Sequence, residues 1–286
     1  MNQPPNPDQF PQTPQASQPP QPRSVQVAVP NVKPYVTYAI IGFTAFIYLL
    51  QVAGVYLLPS NLANSLLAPF GLSTAIFGTT DVAAILGEKV NDLIRAGQLW
   101  RLITPIFLHD SSLPYGLLHI GFNMYALFLY GRGLEGRFGH WRFTLLYFLS
   151  GYAGNVLSFL VTPEASLGAS TAVFGLLAAE GIFILQNRKL LGHRANRALM
   201  NVIYVAGINL LIGFSVTGID NFGHLGGILG GILFTWFGGP RWKMEGFFPS
   251  IRLVDEREGH GALAGTLAVL VFFIPLTALG WFWIVR

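Results

Sequence analysis

The chain has 286 residues, of which 52% are apolar and only 10% charged, against about 25% charged in an ordinary soluble domain. A net charge of +4 is spread too thinly to suggest a nucleic-acid partner. The absence of cysteine excludes a disulfide scaffold, a thiolate metal site, an iron–sulfur cluster and a cysteine nucleophile.

Residues 1–34 hold ten of the 18 prolines and seven glutamines. With so few large apolar side chains this segment is expected to be a disordered tail. No continuous apolar run precedes Tyr35, so the first span is expected to be uncleaved. Length, apolarity and breaker residues then place seven spans at Tyr35–Leu58, Pro114–Tyr130, Phe143–Val161, Ser170–Gln186, Met200–Val216, Phe222–Phe237 and Leu263–Val285. The expected fold class is an all-α polytopic membrane protein with the lipid bilayer as its surroundings.

The first loop, residues 59–113, is far longer than the usual connection and needs structure of its own. Apolar residues from Val82 to Ile94 recur at helical spacing opposite Glu88, Lys89, Asp92 and Arg95, with Thr80 or Asp81 as a cap. That pattern predicts an interfacial amphipathic helix. Alternating the loops across the bilayer puts thirteen Lys and Arg on one side and four on the other. The N-terminus is therefore expected in the cytoplasm and the C-terminus outside, which brings His119, Ser170 and His224 near the outer ends of the second, fourth and sixth spans.

The fourth span opens with Gly168-Ala169-Ser170-Thr171-Ala172-Val173-Phe174-Gly175. A serine in the first turn of a helix lies among unpaired backbone N–H groups that can stabilise an oxyanion, although the same position suits an ordinary cap. Serine also needs a base for its proton. The sixth span supplies one in Gly223-His224-Leu225-Gly226-Gly227, with Gly227 and Gly231 on the histidine's face as a strip for close helix packing. In the second span, His119 and Asn123 stand at i and i+4, able to donate to one oxygen or to fasten two helices. A metal site lacks a third ligand at suitable spacing. Asp220 suits a cap for the sixth span better than a third catalytic member, and Glu180 suits an interhelical hydrogen bond better than a proton relay.

These motifs, HIGFN, GASTAVFG and NFGHLGG in that order, with Trp100-Arg101 and Gly133-Leu134-Glu135-Gly136 in support, resemble the rhomboid family of intramembrane serine proteases. The likeness runs from about Trp100 to Gly239, and the helix count extends it to Tyr35. It implies a six-helix core over residues 35–240; span lengths and the basic-residue count add a cytoplasmic linker at 241–262 and a seventh transmembrane helix at 263–286. It also implies a Ser170–His224 dyad and an oxyanion hole formed by His119, Asn123 and the Ser170 N–H. Phe174 would pack on the histidine, and Gly168 and Gly227 would support the site, with no cofactor and no metal. The expected partners are transmembrane protein substrates, cleaved near the outer face of a plasma membrane. Thr171 stands where the family commonly has glycine; it is still small, and its hydroxyl can bond back along its own helix. Entry is expected by displacement of the fifth helix and the 215–221 loop, with Phe214 and Phe222 as covers. The alternative activity is a catalytically silent relative that binds transmembrane clients; a solute transporter would show an internal repeat, and none is evident.

Overall fold

The computed structural model describes residues 31–247 and 250–282, so the expected disordered tail lies almost wholly outside the described residues. Among them are seven long helices. These are α1 (Tyr35–Leu57); α2, which runs from Tyr115–Ala126 through a π turn at Leu127–Gly131 into Arg132–Phe138; α3 (His140–Val161); α4 (Ser170–Gln186); α5 (Arg194–Ser215); α6 (Asn221–Gly238); and α7 (Gly261–Phe282). Of these, α1, α3, α5 and α7 are long and apolar enough to cross a membrane, and α4 is a shorter apolar helix.

The centre of the bundle is α3, α4 and α6. Aromatic side chains fill the larger gaps, with Phe143, Tyr147, Phe159, Phe183 and Phe234 all buried. Elsewhere the backbones touch. A Cβ on Gly227 would lie 2.0 Å from the Thr171 carbonyl oxygen, and one on Gly231 would lie 2.1 Å from that of Gly175. Side-chain-free positions are what let α6 approach α4 this closely. In contrast α5 buries only Ala195, Val202 and Gly213.

Charged groups in the interior fasten helix ends. Glu135 is fully buried and accepts from Val36 N at 2.8 Å, Thr37 N at 2.7 Å and Thr37 Oγ1 at 2.6 Å. These are donors that the first turn of α1 cannot satisfy within itself. Glu180 pairs with Arg137 across α4 and α2, a structural contact as expected. Beyond α6 a hairpin pairs β1 (Trp242–Glu245) with β2 (Arg252–Asp255), and Arg142 on α3 binds Asp255.

The first loop departs from expectation. Instead of one amphipathic helix it forms Val82–Gly87 and Asn91–Arg95, broken between them. Asp81 does cap the first piece, accepting from Ala84 N at 2.9 Å. The break arises because Lys89 uses its backbone for an antiparallel bridge to Ser166, and its buried ammonium donates to Thr162 O at 2.7 Å. Lys89 therefore does not lie on a solvated face. Burial brings its pKa down to about 8. Arg101, also buried, donates to the carbonyls of Glu88 and Ile85 at 2.7 and 2.6 Å, which ends the Val82–Gly87 piece with a cation at its carbonyl terminus. Trp100 Nε1 adds a bond to Leu86 O at 2.9 Å.

Candidate active site

Ser170 is the first residue of α4 and His224 the fourth of α6. The packing of Gly227 on Thr171 draws these two helix starts together. The Ser170 hydroxyl lies 2.9 Å from His224 Nε2. The imidazole is buried and stacks on Phe174, with ring centroids 4.3 Å apart and planes inclined by 25°. Its Nδ1 has no hydrogen-bond partner among the described residues. Asp220 does not reach it: that carboxylate caps α6 by accepting from Gly223 N at 2.8 Å and also binds Ser158 Oγ.

Both residues open onto a cavity of about 870 Å³ that His119 and Asn123 also line. The Asn123 amide donates to His119 O at 3.0 Å, which leaves its second hydrogen for another acceptor. Gly168 keeps the space between α2 and Ser170 open. A Cβ there would sit 3.0 Å from His119 Nε2 and 3.5 Å from Ser170 Oγ, and its φ of +140° is one that L side chains rarely adopt. All seven residues singled out from the sequence thus converge. His119, Asn123, Ser170, Phe174, Gly168 and His224 line the cavity, and Gly227 lies behind it.

Two expectations need correction. Thr171 Oγ1 makes no hydrogen bond back along its helix, and none to any described residue. The side chain is instead accommodated by shape. A Cβ on Gly154 of α3 would lie 2.6 Å from Thr171 Cβ, and one on Gly223 would lie 3.1 Å from its Cγ2. The branched methyl occupies space that two glycines leave free. Phe214 and Phe222 do not line the cavity; the adjoining wall is formed by Val216 to Asp220, and Phe214 and Phe222 stay 62% and 40% exposed.

The sequence reading missed His109. It is completely buried, its Nε2 faces Ala169 N at 3.5 Å, and its ring meets His119 edge-on with centroids 4.9 Å apart. Burial and the neighbouring His119 hold it down to about 3, so it is neutral and acts as a fixed prop for the turn that carries Ser170. The Gly168 N–H donates to Pro105 O at 2.9 Å, completing that support. Glu88 reaches the cavity mouth, where burial pushes its carboxyl up to about 7.

Comparison with known proteins adds an independent observation. A family model described as the Rhomboid domain matches residues 96–241, just over half the chain. Among curated proteins, Rhomboid protease GluP of Bacillus subtilis is 38% identical over 210 residues, covering 73% of this chain and 36% of that protein. RHOMBOID-like protein 1 of Arabidopsis thaliana is 37% identical over 171 residues, 59% of this chain and 40% of that one. Rhomboid-like protease 1 of Toxoplasma gondii is 36% identical over 149 residues, 51% and 49% respectively. The chain spans between about a third and a half of the length of these relatives. With three sequence motifs meeting at one cavity and a matching family model, the chain belongs to the rhomboid family.

Proposed function

We propose that this multi-pass membrane protein is an intramembrane serine endopeptidase, with Ser170 as nucleophile and His224 as its base. The observation that carries the reading is the 2.9 Å contact between Ser170 Oγ and His224 Nε2, in one cavity with His119 and Asn123. In this reading Ser170 Oγ attacks the carbonyl carbon of a client peptide bond while its proton passes to His224 Nε2. The oxyanion forms in the space kept open by Gly168, facing His119, Asn123 and the Ser170 N–H. His224 then gives its proton to the leaving amine, and a water deprotonated by the same nitrogen hydrolyses the acyl ester. Nothing in these steps requires a carboxylate as a third member, since Phe174 orients the imidazole by stacking.

The same reading makes residues 35–240 a six-helix core, 241–262 a cytoplasmic linker and 263–286 a seventh span. It places the N-terminus in the cytoplasm of a cell whose plasma membrane holds the chain, with the dyad near the outer face. Clients are transmembrane proteins, which enter laterally where α5, the least buried of the core helices, borders the cavity. The test is reaction of the purified protein with a serine-directed fluorophosphonate, together with cleavage of a single-span client. Labelling and cleavage that vanish in Ser170→Ala support the reading; a client that binds but is never cut, with no labelling, favours the silent relative.

A further inference from the structure

The cavity continues inward beyond the dyad. It follows α4 past Phe174 to Leu177, with Ala126 and Tyr130 of α2 on one side and Val205 and Asn209 of α5 on the other. This lower wall is apolar except for the Tyr130 hydroxyl and the Asn209 carboxamide. Asn209 stands in the interior of a 22-residue apolar helix, six residues short of its end at Ser215 and about 9 Å from it at 1.5 Å per residue. One turn deeper, Val205 packs against the cluster that contains Leu177, which is itself about 10 Å below Ser170 along α4. Asn209 is therefore about one helical turn beneath the nucleophile.

Its hydrogen bonding is incomplete. Nδ2 donates to Val205 O at 2.8 Å, within its own helix, and among the described residues the side chain makes no other hydrogen bond. A second amide hydrogen and Oδ1 remain available. A polar side chain at this depth is costly unless it faces protein or a cavity, and this one fastens no neighbouring helix. It is exposed on α5 and lines the lower cavity, the space a client helix would enter.

We propose that Asn209 is a specificity-determining residue. It hydrogen-bonds a hydroxyl or carboxamide side chain (Ser, Thr, Asn or Gln) three to four residues to the membrane side of the client's cleaved bond. The location of the cut rests on the proteolytic reading above; the recognition of a polar residue within the client helix does not.

The experiment uses the full chain and single-span poly-Leu clients with one Leu replaced by Asn or Ser at successive positions of the outer two turns. Binding is measured with Ser170→Ala protein and cleavage with Ser170 intact. One register should bind about threefold better than the poly-Leu client, the gain of an average interhelical hydrogen bond, and its cleavage should rise in step. Asn209→Leu should erase that ratio, while Asn209→Gln should keep part of it, which separates lost recognition from lost folding. An unchanged ratio in Asn209→Leu, or equal binding in every register, overturns the inference. Register-dependent binding without cleavage of any client sinks the proteolytic reading and leaves Asn209 as a client-recognition residue.

Discussion

Ser170 Oγ and His224 Nε2 lie 2.9 Å apart although 54 residues separate them in the chain. The contact exists because Gly227 lets α6 rest on the backbone of Thr171. Neither side chain is useful alone, since the serine needs its base and the base needs something to deprotonate. Single alanine replacements at either position should lower client cleavage by at least about a thousandfold, and the double variant should be no worse than the singles. Near-native turnover by Ser170→Ala would remove serine chemistry from this protein.

In the proposed mechanism Asn123 differs in kind, because it would contribute one donor to a hole that has others. Asn123→Ala should lower kcat by about 2.7–4 kcal/mol in barrier terms with client binding little changed. Steady-state kinetics check this: a rise in KM alone at constant kcat would place Asn123 in ground-state binding and out of the oxyanion hole.

Thr171 and Gly154 form a size-matched pair between α4 and α3. A methyl added at Gly154 would meet Thr171 Cβ and the Gly223 carbonyl, both at 2.6 Å. Gly154→Ala should therefore destabilise by about 1–3 kcal/mol through overpacking. Thr171→Gly in the same chain should recover only part, because the Gly223 contact persists. Thr171→Gly alone should keep fluorophosphonate labelling. Thermal melts of the four proteins test the coupling; strictly additive shifts would show that the two positions do not share this space.

The pairing of Ser170 with His224 was legible in the sequence because its two halves are marked locally. Ser170 opens an apolar helix after Gly168, and His224 begins a strip of glycines at the spacing of one helix face. The first loop was not legible in the same way. Its apolar spacing does describe two short helices, but a backbone bridge to Ser166 overrides the helical period at Lys89, and that partner is 77 residues away. His109 gave no signal because it lies in a loop, where no periodicity distinguishes a buried ring from an exposed one. The fit of Thr171 was misread because a hydroxyl suggests hydrogen bonding, whereas the structure uses its methyl as a wedge between glycines.

His109 also sets a pH dependence. Its folded pKa is held down to about 3 by burial and by His119, below the ordinary value of 6.5. At pH above 6.5 both folded and unfolded chains carry it neutral and its contribution is fully present. As pH falls from 6.5 towards 3 the unfolded chain takes up a proton that the folded chain refuses, and stability drops by up to about 1.4 kcal/mol per unit. His109→Asn should flatten the melting temperature across that window while lowering it at neutral pH, since the prop beneath Ala169 is lost. An unaltered slope in the variant would show that another group governs acid stability.

The last prediction concerns what makes a client cleavable. A peptide bond in an intact transmembrane helix is shielded by its own hydrogen-bonded backbone, and unwinding it in hydrocarbon leaves polar groups unsatisfied. The cavity answers part of that cost at the end beside Ser170, where Asn123, His119 and the loop from Val216 to Asp220 offer polar groups to an opened strand. Deeper down the wall is apolar apart from Tyr130 and Asn209, so helix that has not opened is tolerated there. Clients with Gly or Pro just inside the outer interface should therefore be cut faster, because those residues lower the cost of opening. Room beside Ser170 is limited by the close α4–α6 contact, so a small residue such as Ala should be preferred before the cut. In a purified system, placing Gly-Pro in that segment should raise the cleavage rate over a poly-Leu client by about tenfold or more, the value of a Gly and a Pro in a helix interior discounted for partial opening. Equal rates for the two clients would mean that access to Ser170 is governed by the movement of α5 alone, and helix stability would drop out of the mechanism.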